Sequence, residues 1–405
     1  MSERDSSQPA RPGASTFVDG GYVLPDELVM LRQLVKDFVK AEVLPAEAEM
    51  GHEETDLPPE KLRPLQEKAK ALGLWCLAAP EEYGGQGLSA IALAVVAEES
   101  HKHRNGNYNA ALGAFGYEPP NALYAGTQDQ IDRFVIPTVA GERRGFFAIT
   151  EPNGGSDPAR AIRTSATQRG SDWVLNGEKI FISDVGLADY GVVIARTGPG
   201  RGGLTSFIVE KGMPGFAWQA IPVIRPSYPY QLHFDNVVVP AANVLGVEGK
   251  GFDVAQSWLV RGRVYYAAGC IGIAQCALDM AIAHAKIRST FGDALANRQA
   301  VQWMIVDSEM ELRAARWLTW EAAWKVDRGE SARMEASIAK VVATETAGRV
   351  VDRAIQILGG MGVSRDLPLE RWYRELRIKR IGEGPSEVHR MVIARDLLSP
   401  SGRRA

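Results

Sequence analysis

The hydrophobic period of this chain changes twice, and that order limits the folds open to it. Up to about residue 144 apolar residues recur at helical spacing. Pro25 and Asp26 open a run in which Leu28, Leu31, Val35, Phe38 and Val39 share a face. Further helical stretches are predicted near 59–72, 89–101 and 128–140. From about 145 to 251, short β-branched and aromatic runs alternate with Gly, Pro and Asn turns, as in an antiparallel sheet or barrel. From 252 onward, Ala-rich stretches near 253–288, 298–328 and 333–358 are too long for connectors and suit a bundle. Helices, then strands, then helices argue against a doubly wound sheet, whose elements must alternate. The expected class is α+β, mostly α, in three domains at 1–144, 145–251 and 252–405, with 1–20 a disordered tail. A length of 405 residues, beyond what one core usually supports, agrees with this division.

A formal charge of −3 supplies neither a basic field for nucleic acid nor a polybasic membrane footprint. Cys76, Cys270 and Cys276 have no metal-ligand spacing, and an odd number gives no disulfide framework. Residues 1–16 lack the apolar core of a secretory signal, and no uninterrupted apolar run approaches the roughly 20 residues a bilayer requires. A cytoplasmic protein with no bound metal is expected.

Three motif matches lack their structural context. Gly198-Pro199-Gly200-Arg201-Gly202-Gly203 satisfies the dinucleotide pattern, but the strand-like Leu204 to Glu210 follows it where a helix N-terminus is needed. Gly154-Gly155-Ser156-Asp157-Pro158 approaches a hydrolase elbow, yet no His follows as a triad partner. His101 and His103 lack a Cys to complete a zinc set and read as surface residues. Asn176-Gly177, set between Asp172–Leu175 and Lys179–Ser183, reads as a tight hairpin turn.

Four other segments point to one chemistry. In Phe147 to Asp157 a strand runs into a Gly-rich loop bearing hydroxyls, which lets backbone amides approach a flat ligand. Phe181 and Ser183, two apart on a strand, project together as an aromatic plane beside a hydroxyl. Gln356 to Gly362 ends a long helix and is followed by Asp366, Arg371 and Glu375. Glu383 stands between Gly382 and Gly384, before a C-terminal helix. Taken singly, these read as an ordinary turn, core packing, a glycine C-cap and a helix-start acid.

Together they resemble the acyl-CoA dehydrogenases over nearly the full length. Ile149-Thr150-Glu151-Pro152 through Gly155-Ser156-Asp157 is similar to one family signature, departing at Arg160. Gln356 through Glu375 matches the second, and Pro80–Leu88 and Gly126–Gln130 resemble further landmarks. The resemblance implies an N-terminal helical domain, a middle antiparallel β-barrel domain and a C-terminal four-helix bundle, with FAD between them. It implies FAD contacts at Phe147, Ile149, Thr150, Gly155, Ser156, Phe181, Ile182, Ser183, Gln356, Gly359, Gly360, Pro385 and Glu387. Arg288, Thr290, Phe291, Arg298 and Gln299 match a segment that in relatives reaches the FAD of a neighbouring subunit, which implies a homotetramer built as a dimer of dimers. Phe181 stands where the family usually has Trp.

The resemblance also implies the reaction. Glu383 is the base that takes the α-proton of an acyl-CoA thioester, the flavin N5 takes the β-hydrogen as hydride, and a trans-2-enoyl product leaves. Ser156, Arg263, Gly382 and Gly384 are implied substrate contacts, and an electron-transfer flavoprotein the onward acceptor. Some relatives carry the base just before a family Arg. Here that Arg is Arg263 and its predecessor is Gly262, so Glu383 stands alone. Gly382 and Pro385 replace a common Tyr and Thr, from which a wider pocket and a branched, cyclic or bulky acyl group are expected. Alternatives are a flavin oxidase or monooxygenase of the same fold, a dehydrogenase acting on an acyl-carrier-protein thioester, or a scaffold that no longer binds flavin.

Overall fold

A computed structural model describes residues 17–18, 21–22 and 24–399, so most of the expected N-terminal tail lies outside the described residues. The helical opening comprises α1 (Asp26–Phe38), α2 (Pro59–Ala71) and α3 (Ala90–Ser100), with shorter turns of helix from Gln128 to Ala140. Leu28, Val35, Phe38 and Val39 are buried, as their spacing predicts. Helix α3 is buried nearly all round, from Ala90 to Ser100. That fits the unbroken apolar run Ala90–Ala97, since such a stretch must be enclosed on every side.

The middle segment holds β1 (Gly145–Ala148), β2 (Ser165–Arg169), β3 (Asp172–Ile182), β4 (Tyr190–Arg196), β5 (Leu204–Glu210), β6 (Phe216–Ala220), β7 (Tyr230–Val239) and β8 (Val244–Leu245). They form one sheet in the order β8-β5-β4-β2-β3-β7-β6, with β1 added alongside β4. The sheet does not close, because β8 and β6 end the path unpaired with each other. Nor is it purely antiparallel: β1 runs parallel to β4, with Phe147 opposite Val192, and Ser165 pairs in parallel with Arg196. The expected antiparallel barrel is therefore an open mixed sheet.

The Asn176-Gly177 pair is not a turn. Strand β3 continues through it, and the pairing with β7 shifts register between Leu175 and Gly177. Asn176 Oδ1 accepts the Asn236 backbone N–H at 2.9 Å, and a Cβ on Gly177 would lie 2.6 Å from Thr164 Cα. Asn and Gly serve a bulge and a close backbone approach there. The actual hairpin turn is Gly170-Ser171, flanked by the pair Arg169 and Asp172. Gly198 to Gly203 is the expected link between two strands, β4 and β5.

The C-terminal segment holds α4 (Gly251–Ile287), α5 (Gln299–Asp327), α6 (Arg333–Leu358), α7 (Leu369–Lys379) and α8 (Ser386–Leu398). Helices α4, α5 and α6 pack on one another, and α7 and α8 pack on α6. Gly262–Ile287 of α4 is long and apolar enough to cross a bilayer, yet Ala267, Ala268, Ile271, Ala274 and Ala281 are fully buried at the centre of this bundle.

The cores cross the sequence boundaries. Ala90, Ile91, Ala94, Val95 and Ala97 of α3 belong to the same apolar cluster as α4, α5 and α6. On β4, Tyr190, Val192 and Ile194 face the helices around Phe134 and Val135, while Val193 and Ala195 face the sheet's own core. Both faces of β4 are covered, which explains its unbroken burial.

Candidate active site

Glu383 sits in the short link between α7 and α8 with a left-handed φ of +54°, followed by Gly384 at +97°. Such a φ strains a residue with a Cβ, so something must hold it. His389 Nε2 donates to the Glu383 carbonyl at 3.2 Å, and Lys340 Nζ donates to the Gly384 carbonyl at 2.7 Å. With both carbonyls engaged, the Glu383 backbone N–H has no acceptor among the described residues.

The Glu383 side chain turns inward. Its Oε2 is buried without a hydrogen-bond partner and lies 3.5 Å from where a Cβ on Gly262 would stand. Burial pushes this carboxyl above its ordinary range, against the downward pull of Lys379, Arg263 and Lys340. Desolvation wins because none of these cations reaches salt-bridge distance of it. Arg263 is itself desolvated, its Nε buried and unpartnered.

Gly382 does not open extra room. A Cβ there would come within 2.8 Å of the Tyr266 hydroxyl, so a ring from α4 occupies the space expected to be empty. Lys379 Nζ lies 4.0 Å from the centroid of the same ring. The premise of a pocket widened beside the base therefore fails, because bulk absent at position 382 is supplied at 266.

The first and second expected flavin segments meet. Ile180 N–H donates to the Thr150 carbonyl at 2.9 Å, joining the end of β1 to the end of β3. Beneath them Lys179 Nζ pairs with Glu151 Oε1 at 2.8 Å, both buried, and Glu151 also accepts the Arg163 and Thr164 backbone N–H groups. A register shift between Lys179 and Ile182 lets Ile182 stay buried while Phe181 and Ser183 project outward. Phe181 is 57% exposed with φ +58°, and Ser156 is exposed with φ +64°. Phe147 and Ile149 are partly buried behind this surface.

The other candidates lie at the far ends of α4 and α6 or directly after Glu383. Arg288, Thr290 and Phe291 belong to a small hairpin just beyond α4, where Arg298 donates to the Thr290 carbonyl at 2.6 Å and Phe291 is fully exposed. At a helical rise of about 1.5 Å per residue, the end of α4 is about 36 Å from Arg263. Gln356, Gly359 and Gly360 end α6, about 24 Å along the axis from Lys340 by the same rise. Both helix ends therefore lie well away from Arg263 and Lys340. Pro385 caps α8 and Glu387 stands exposed in its first turn.

Reading the sequence missed Tyr266, Lys340, Lys379 and His389. A signal was present for two of them. Lys340 falls in the buried stripe Ala336, Ala343, Ala347 of α6, and Lys379 continues Trp372 and Leu376 on α7. A lysine on a core stripe has to be held by something. His101 and His103 are both buried, not on the surface: His101 packs edge-on to Tyr265, and His103 Nδ1 lies 2.9 Å from Glu47 Oε1. No acidic, Cys and His cluster fit for a metal occurs among the described residues.

The N-terminal, middle and C-terminal domain profiles of acyl-CoA dehydrogenase match residues 25–142, 146–237 and 249–398. The chain belongs to the acyl-CoA dehydrogenase family. It is 37% identical over 384 residues to an acyl-CoA dehydrogenase of Bacillus subtilis, covering 92% of this chain and 98% of that one. Its fold matches butyryl-CoA dehydrogenase from Megasphaera elsdenii with a TM-score of 0.83 and 34% identity, covering 94% and 100% of the two chains. A chain from the electron transferring flavoprotein structure of Acidaminococcus fermentans matches with a TM-score of 0.84 and 33% identity, covering 94% and 100%. As a member of this family the protein is an FAD flavoprotein and an oxidoreductase acting on CH–CH bonds. Its residues fit that cofactor. Gly155, Gly359 and Gly360 have no atom within 4 Å of where a Cβ would stand, and Phe181 offers an uncovered ring beside the exposed Ser183.

Proposed function

We propose that the chain converts an acyl-CoA thioester to its trans-2-enoyl-CoA, with Glu383 taking the α-proton. The supporting observation is a buried, unpartnered carboxylate oxygen on a strained backbone, in a protein whose family performs this reaction. FAD, when bound, supplies the oxidising centre for the electron pair and hydrogen leaving the β-carbon.

The protein's part is to make a weak base effective. An ordinary Glu, with a pKa of about 4.3, is a poor match for an acyl α-proton. Desolvation of Glu383 raises its basicity, and the His389 and Lys340 hydrogen bonds hold it in place, which reduces the entropic cost of proton transfer. The free Glu383 N–H is suited to donate to the thioester carbonyl and stabilise enolate charge, the larger expected effect. Thr150, Ser156, Phe181 and Ser183 form the surface that receives the flavin. Arg263, Gly382 and Gly384 border the acyl group.

We further infer a cytoplasmic homotetramer that passes electrons to an electron-transfer flavoprotein. Trp303, Val306, Met310 and Trp317 expose a large apolar stripe along α5, which favours association of copies. The separation of about 36 Å along α4 between Arg263 and the Arg288 segment supports that segment serving a neighbouring subunit.

The test is anaerobic bleaching of the flavin absorbance by a series of acyl-CoAs. Wild type should bleach with its substrate, while Glu383→Gln binds the same thioester and stays yellow. Equal bleaching by both proteins would remove Glu383 from the reaction. Rapid reoxidation by air would favour an oxidase.

A further inference from the structure

Behind Glu383 stand charged side chains where a hydrocarbon tail would want apolar ones. Tyr266 spans from Gly382 to Lys379, its hydroxyl at the glycine and its ring face under the ammonium at 4.0 Å. Lys379 makes no salt bridge and no hydrogen bond among the described residues. Its cation–π contact compensates only part of what desolvation costs an ammonium. Arg225 lies close enough to affect both Tyr266 and Lys379 electrostatically. Its own contacts are the Ser227 carbonyl at 2.8 Å and the Tyr108 ring at 5.4 Å, with no carboxylate in salt-bridge range.

The groups facing Lys379 leave this charge without a salt bridge. Glu383 and, one turn earlier on α7, Glu375 are the acids that act on it, neither at salt-bridge distance, and Arg371 already holds Glu375 Oε1 at 3.2 Å. Cys270 and Tyr266 on α4 keep their protons, since burial raises both. His101 is buried and held neutral, pushed down to about 3 first by desolvation and then by Lys379. Lys379, Arg263 and Lys340 all act on the Glu383 carboxyl, and none of the three has a carboxylate in salt-bridge range among the described residues. Lys379 is only partly covered by surface area yet desolvated like a buried group. Both hold if its exposed part faces an interior cleft and not bulk water.

We propose that the acyl group of the substrate carries a carboxylate, received by Lys379 across the ring of Tyr266. A short dicarboxylic acid, thioesterified at one end, fits the layout. Its α-carbon meets Glu383, and its free carboxylate ends one tyrosine ring away, at an ammonium with no carboxylate in salt-bridge range. This inference rests on the dehydrogenase reading and names its substrate class.

The test separates the two. On the Glu383→Gln background, which cannot take the proton, titration calorimetry compares glutaryl-CoA with pentanoyl-CoA, equal in chain length. Glutaryl-CoA should bind at least tenfold more tightly. Lys379→Met should erase that preference while changing pentanoyl-CoA binding by less than threefold, and Lys379→Arg should restore most of it. Tighter binding of pentanoyl-CoA, or an equal loss for both ligands in Lys379→Met, would overturn the proposal. An equal loss would mean that Lys379 only supports the fold or the base. If no acyl thioester of either series bleaches the wild-type flavin, the dehydrogenase reading itself has failed. If pentanoyl-CoA bleaches it and the calorimetric preference is absent, only the carboxylate is lost.

Discussion

The Tyr266 hydroxyl lies 2.8 Å from the point where a Cβ on Gly382 would stand, so the two residues share one volume. A side chain at either position excludes bulk at the other. Gly382→Ala should therefore displace the Tyr266 ring and cost about 1–3 kcal/mol, the usual range for overpacking. Adding Tyr266→Phe, which removes the clashing oxygen, should recover most of that loss. Urea denaturation of the two single variants and the double variant measures the coupling, and strict additivity would show that the contact is slack.

The unpartnered Glu383 carboxylate should make the active enzyme less stable than its inactive variant. Its folded pKa is raised, so the stabilising contribution is complete below the unfolded value and is lost as pH rises through the folded one. At pH 7.5 Glu383→Gln should melt at a higher temperature than wild type, and at pH 4 the gap should close. A gap independent of pH would argue against a desolvated carboxylate.

The same shift sets the acid limb of kcat/KM, since Glu383 works ionised. That limb should fall above the ordinary carboxylate value of about 4.3. Lys340, held down to about 8 mainly by burial, is still cationic there and pulls the Glu383 value down. Lys340→Met should accordingly move the limb to higher pH. A shift to lower pH in a pH–rate profile would contradict this electrostatic account.

The pair Lys179 and Glu151 ties the ends of β1 and β3 together beneath Phe181. Lys179→Met would leave Glu151 buried with only two backbone N–H donors. Breaking a buried pair from one side costs about 3–5 kcal/mol. Thermal unfolding should show that loss, together with weaker FAD retention during dialysis. A variant as stable as wild type would mean that the carboxylate had simply taken up a proton.

Asp327, at the end of α5, accepts the Ala90 and Ile91 backbone N–H groups at 2.6 and 3.0 Å. It closes the N-terminus of α3 from the far side of the chain. Asp327→Ala should cost about 1–2 kcal/mol, as for loss of a strong helix cap. Hydrogen exchange should quicken first at the start of α3. Uniform quickening across the molecule would point to a global effect.

Much of the architecture was legible locally. The three long helices end within a few residues of their periodic limits, because apolar spacing over many turns is a strong signal. The setting of Glu383 between two glycines and the shared outward face of Phe181 and Ser183 were also legible, whereas the left-handed φ of Phe181 and the register shift beside it were not. The failures were non-local. Asn176-Gly177 has turn chemistry, but Asn236, sixty residues away, recruits it into a bulge. His101 and His103 looked like surface residues because nothing nearby in sequence says that Tyr265 and Glu47 will cover them.

What the amino-acid order determined by itself was the succession of helices, strands and helices and the identity of the acid placed between two glycines. Each follows from backbone preference and apolar spacing within one element. Only the tertiary structure decided that the sheet stays open, that Tyr266 fills the space left by Gly382, and that Lys379 stands over that ring near the base without a salt bridge. Those outcomes depend on which surfaces meet across a hundred or more residues. Packing and desolvation, not local propensity, set the energy of such meetings.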